Sequence, residues 1–82
     1  MFKASTRSSS CVRYIYGDPI TGLCEVTFQN GSSYRYRNVS RRALLNLLFN
    51  RNISLGFWVN ANILGAYNVV IDAVIPEAYA LA

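Results

Sequence analysis

The chain reads as an α+β domain: a three-stranded antiparallel meander packed by one helix and a second short helix, with a C-terminal strand or arm. Three observations predict it. Apolar and polar residues alternate from Leu23 to Arg37 around a Gly31 turn, the period-2 pattern of half-buried strands. Ser40 then opens a leucine-rich stretch at helical spacing. Finally, Val69 to Ile75 is β-branched and strand-like until Pro76 stops it.

In order, residues 1–10 are expected to form an N-terminal arm, because Ala4 to Ser10 is rich in Ser and Thr. Cys11 to Gly17 is the first strand. Asp18-Pro19-Ile20-Thr21-Gly22 carries the Asp-Pro and Gly of a turn. Leu23 to Phe28 is the second strand and Ser32 to Asn38 the third. A two-residue Asn30-Gly31 turn would set Val26 against Arg35 and mix the faces. A three-residue Gln29-Asn30-Gly31 loop, with Gly31 left-handed, sets Val26 against Tyr34, Cys24 against Tyr36 and Glu25 against Arg35. Across the first turn, pairing Gly17 with Leu23 sets Tyr16 against Cys24. One face is then expected to hold Val12, Tyr14, Tyr16, Cys24, Val26, Phe28, Tyr34 and Tyr36. The other holds Arg13, Ile15, Leu23, Glu25, Thr27, Arg35 and Arg37.

Ser40 is the expected N-cap of a helix over Arg41 to Asn50, with Val39 and Leu44 as a hydrophobic staple. Leu44, Leu45 and Leu48 are expected on the sheet, with Leu47 and Phe49 pointing elsewhere. Ser54 is a second N-cap, followed by Leu55, Val59, Ile63 and Tyr67 at i, i+4 spacing. The domain is placed at 11–67, and 68–82 forms the C-terminal strand and apolar tail.

Composition narrows the function. The chain has 82 residues, 52% hydrophobic and only 15% charged, where ordinary domains carry about 25% charged residues. Area scaling for 9.2 kDa buries roughly 63% of the unfolded surface. That core is too small for so much apolar material, so a surplus is expected outside, as an interface. Net charge is +4, and seven of the eight cations are Arg, suited to phosphate or carboxylate. In the expected register Cys11 and Cys24 lie roughly 16 Å apart, beyond disulfide reach. Both are read as reduced thiols in a chain made in the cytoplasm. Met1-Phe2-Lys3 leads into Ser/Thr, so no signal peptide is expected. Ile53 to Ile71 contains Asn60, Asn62 and Asn68, which argues against a membrane span.

Several short motifs resemble the small KTSC domain of bacteria and phages. They are Ser9-Ser10, Tyr16-Gly17-Asp18, Val26-x-Phe28-x-x-Gly31-x-x-Tyr34-x-Tyr36-x-x-Val39, and the closing Ser54-x-Gly56-Phe57-Trp58-x-Asn60 to Tyr67 block. The likeness spans about Ser9 to Tyr67. It implies a loose association with RNA metabolism and brings no established catalytic residue. Where the family carries Arg after the Ile and a further cation before the final Tyr, this chain has Leu64 and Ala66. That departure moves the expectation from nucleic acid toward protein partners.

No catalytic site, cofactor, metal or small-molecule substrate is expected. There is no His, and Asp18, Glu25, Asp72 and Glu77 are the only carboxylate side chains. The expected function is a non-enzymatic structural subunit that binds protein subunits, itself or others, in a larger assembly. A capsid-decorating or tail component of a phage virion is the specific expectation. Leu47, Phe49, Phe57, Trp58, Val70, Ile75, Tyr79 and Leu81 are the candidate interface residues. Phe57 and Trp58 are adjacent, so on a helix they diverge by about 100° and cannot share one core. The alternative is an RNA- or DNA-binding module using Arg13, Arg35, Arg37, Arg41 and Arg42. Arg41 and Arg42 stand in a first helical turn, where the macrodipole disfavours cations by about 0.3–1 kcal/mol each.

Overall fold

The computed structural model describes residues 2–5, 11–50 and 52–75. Strands β1 (Phe2–Ser5), β2 (Val12–Asp18), β3 (Leu23–Phe28), β4 (Ser33–Arg37) and β5 (Val70–Ile75) form one antiparallel sheet in chain order. Helices α1 (Arg41–Phe49) and α2 (Leu55–Val59) intervene between β4 and β5, and α2 runs on into a π-helical turn over Asn60–Leu64. The class is α+β, as the pattern predicts. The sheet has five strands rather than three. The C-terminal strand is a full member, hydrogen-bonded to β4. Residues 2–5, expected in an arm, pair with β2 instead. Four residues are too short to show a period, and the free edge of β2 decides their conformation. Among the described residues no helix is long and apolar enough to cross a membrane.

The β3–β4 hairpin has the expected register: Cys24 faces Tyr36, Glu25 faces Arg35 and Val26 faces Tyr34. Gly31 takes φ 91° and its N–H donates to the Phe28 carbonyl at 3.0 Å. The β2–β3 hairpin is one residue off the expected register. Gly17 faces Cys24, and Asp18 faces Leu23. Asp18 serves as the last strand residue and also closes the turn, accepting from the Ile20 N–H at 3.0 Å. Gly22, at φ 77°, ends the loop by donating to the Asp18 carbonyl at 2.9 Å. A one-residue slip exchanges faces. Tyr14 and Tyr16 therefore lie opposite Thr27 and Glu25, on the arginine face, and Ile15 and Gly17 take their place under the helices. A bulge between Val12 and Tyr14 returns Val12 to the helix side, opposite Phe28.

The core lies between this side of the sheet and the helices. Val12, Ile15, Cys24, Val26 and Tyr36 meet Leu44, Leu47, Leu55, Trp58, Val59 and Ile63. Ser40 caps α1 by accepting from the Ala43 N–H at 3.4 Å, and Ser54 caps α2 by accepting from Phe57 N–H at the same distance. Gly17 leaves no room for a side chain beneath α1: a Cβ there would sit 2.8 Å from Leu44 Cδ2 and 3.0 Å from the Phe2 ring. Trp58 is fully buried and its indole N–H donates to the Ala43 carbonyl at 2.9 Å, tying α2 to α1. On the other face of the sheet the Thr27 and Ser33 hydroxyls satisfy each other at 2.7 Å.

Candidate protein-interaction surface

The helix layer is narrower than the sheet. α1 lies against β1 and α2 against β2, while β5 stands at the far edge. Burial falls away along each row of facing residues. Cys24 and Tyr36 are buried, yet Ile71, which faces Tyr36 on the same side, is 57% exposed. Val26 is buried, Tyr34 is half-buried, and Val74, which faces Tyr34, is 66% exposed. Phe28, Tyr34 and Tyr36 form an aromatic row leading to this ledge, with ring centroids 5.9 and 6.4 Å apart. Asp72 is the extra residue of a bulge between the Ile71–Tyr36 and Ala73–Arg35 pairs, and its carboxylate lies 3.8 Å from Arg37 Nε.

The helix layer carries a second exposed apolar set. Ala43, Leu44 and Leu47 take the buried side of α1, which leaves Leu48 and Phe49 outside. Trp58 enters the core, so Phe57 faces solvent at 66% exposure. The π-helical turn keeps Ile63 buried below Leu55 and Val59. Gly65 N–H donates to the Asn60 carbonyl at 2.8 Å and closes the turn. Leu64 and Tyr67 then stand outside the core. Side chains this apolar and this exposed can exclude water only against another surface.

The expected interface residues divide accordingly. Phe49, Phe57 and Val70 are exposed. Leu47 and Trp58 are corrected: both are buried in the chain's own core, Leu47 because the sheet lies on that side of α1 and not on the Leu48 side. Ile75 is half-buried and faces Ser33, on the sheet face away from the helices. Tyr79 and Leu81 lie outside the described residues. Ile71 and Val74 were not singled out from the sequence, Leu64 was noted there only as the apolar replacement of a cation, and Tyr67, expected to continue the Leu55, Val59 and Ile63 stripe, is fully exposed instead. A β-branched run announces a strand, but nothing in it says that the strand is an edge.

The arginines are dispersed. Arg13 sits at the bulge in β2 and donates from Nη2 to the Gln29 carbonyl at 3.1 Å. Arg37 pairs with Asp72 near the other end of the sheet, beside a shallow groove lined by Thr21, Leu23, Asn38 and Val70. Arg41 donates from Nε to the Pro19 carbonyl at 3.4 Å, which pins the start of α1 to the first turn, and Arg42 is exposed. Arg35 is half-buried in the row that holds Tyr16 and Glu25. Lys3 Nζ lies 4.8 Å above the Tyr14 ring and 5.6 Å from the Tyr16 ring. Tyr14 itself is only 7% exposed and is packed edge-on against Tyr16 at 5.5 Å. Its ring face is closed to a stacking base.

Three described groups have shifted titrations: the Ile20 N–H holds the exposed Asp18 carboxyl below its usual range, and two groups in the core are raised. Burial, helped by the Glu25 charge, pushes the Cys24 thiol up to about 12. Burial also raises Tyr36, with Tyr34 and Cys24 adding to it. Both shifts favour the protonated, unreactive forms, so this pair is core material. Cys11 is exposed, and no bridge joins it to Cys24. Compared with known proteins, the chain matches no family model and no curated protein.

Proposed function

We propose that this chain is a non-enzymatic structural subunit that binds protein partners in a larger assembly. Our specific reading places it in a phage virion, as a capsid-decorating or tail component made in the host cytoplasm. The KTSC-like motifs carry the phage part of the proposal. The exposed apolar surface carries the rest: Phe49, Phe57, Leu64, Tyr67, Ile71 and Val74 all stand outside the core of one small chain. Partner binding would bury them at roughly 25 cal/mol per Å² of apolar area, and aromatics are favoured interface anchors. No cofactor, metal or small-molecule substrate enters this reading.

The test is what associates with the native protein. We expect stable co-purification with a protein partner or self-association. Either should survive about 1 M salt, where charge–charge attraction is screened within about 3 Å. A monomer that retains no partner and stays monomeric at high concentration overturns the proposal.

The second reading is nucleic-acid binding, favoured by one observation. The corrected register puts Tyr16 and Arg35 in one row on one face, with Lys3 above the tyrosine. It predicts oligonucleotide affinity that falls steeply with salt. Absence of filter retention at low salt removes it.

A further inference from the structure

We propose that β5 is a self-pairing edge. Two copies of the chain join β5 to β5 antiparallel about a twofold axis and merge their sheets into one. This names the partner in the protein-binding reading above and rests on it.

Among the described residues β5 has β4 on one side and no strand on the other. Such an edge offers a ladder of backbone donors and acceptors to another strand. It is six residues long and apolar except for Asp72. A bulge normally blunts an edge against a regular strand, because faces fall out of step beyond it. A second copy of the same strand carries the same extra residue. That makes the bulge a means of selecting self.

The register follows from the faces. Ile71 and Val74 lie on the helix side, opposite Tyr36 and Tyr34. Val70, Ala73 and Ile75 lie on the other side, opposite Arg37, Arg35 and Ser33. Asp72 reaches Arg37 on that same side. One antiparallel register matches every face and pairs all six residues. It sets Ile71 against the partner's Val74, Val70 against the partner's Ile75, and Asp72 against the partner's Ala73. Sliding by one residue either way sets helix-side residues against outer-face residues, and one of those slips also sets Asp72 against the partner's Asp72.

Charge supports the same register. Arg35 faces Ala73, and the partner's Asp72 lies just beyond that small side chain. Two strand spacings, about 9.6 Å between Cα atoms, separate Arg35 from that carboxylate. The combined reach of an arginine and an aspartate can cover it. Symmetry makes the contact twice. The contact is isologous and closes on itself as a dimer rather than a filament.

The test uses sedimentation of the full chain from low-micromolar to hundreds of micromolar. The wild type is expected to reach twice the monomer mass. Val74→Lys puts a charge on the exposed helix-side ledge and should weaken dimerisation at least about tenfold. Asp72→Arg should weaken it as well, by facing Arg35 with a like charge. Adding Arg35→Asp should restore it, a rescue that a merely structural defect would not show. This charge swap also decides the matter if Val74→Lys does not fold. Ile20→Lys, in the exposed β2–β3 turn and outside the surface described above, should leave the dimer intact. A wild-type dimer unmoved by both Val74→Lys and the charge changes overturns β5 pairing. If Phe57→Lys alone disrupts association, protein binding stands and the β5 interface falls. A wild-type monomer that still captures another protein also removes only the self-pairing, whereas a monomer without partners removes both.

Discussion

At the scale of single residues, neighbours in sequence have opposite fates. Phe57 and Trp58 differ by one helical step, and the indole that finds a carbonyl partner is the one taken inside. Trp58→Ala should cost about 3–5 kcal/mol. Trp58→Phe leaves the Ala43 carbonyl without that donor and should cost about 1–3 kcal/mol. Urea unfolding followed by circular dichroism separates the two. Phe57→Ser should change stability little and solubility more. The Cys24 thiol gives a pH prediction. In the folded chain it holds its proton up to about 12, against an ordinary value of 9.0 for an exposed thiol. Below pH 9 both states are protonated and the thiol adds no pH dependence. As pH rises from 9 toward 12 the unfolded chain loses the proton first, so stability falls. A Cys24→Ala chain, less stable throughout, should lack that component of the alkaline slope. A thiol reagent at neutral pH should modify Cys11 quickly and Cys24 only on unfolding.

At the scale of elements, the two hairpins show how much was legible. The β3–β4 register could be derived because only one loop length keeps Val26 with Tyr34, and Gly31 supplies the positive φ. The β2–β3 register could not, because Asp18 is both a strand residue and the acceptor that closes the turn. Counting it as loop alone shifted the pairing by one, enough to send Tyr14 and Tyr16 to the wrong face. The helix starts were legible in Ser40 and Ser54, since capping is a local interaction. Leu44 was legible as a buried leucine of α1, but the choice between Leu47 and Leu48 was not, because they differ only in which way the sheet lies. For the candidate surface, Phe49, Phe57 and Val70 were found from the sequence, whereas Ile71 and Val74 needed the strand order. Gly17 reports on the seating of α1. Gly17→Ala brings a methyl against the flexible ends of Leu44 and Phe2, so neighbours can give way. We expect a cost of about 1–3 kcal/mol by urea denaturation. Ser40→Ala should cost about 1 kcal/mol through loss of the cap.

At the scale of the whole molecule, the surplus of apolar residues has a visible location. It lies on the sheet beyond the helix layer and on the outer side of the helices. The strand order has a further consequence, for folding. β1, β2 and β3 each pair with the next strand in the chain, so these ladders close over short connections. β5 reaches β4 only after everything from Asn38 to Val69 has been placed, and that longer closure costs more entropy. We expect β5 to join the sheet last and to detach first. Native-state hydrogen exchange should show β5 amides opening at least about tenfold more often than those of β3. In the nascent chain, Tyr34 and Tyr36 would then wait beside an unfilled slot, and the first β5 to arrive need not come from the same polypeptide.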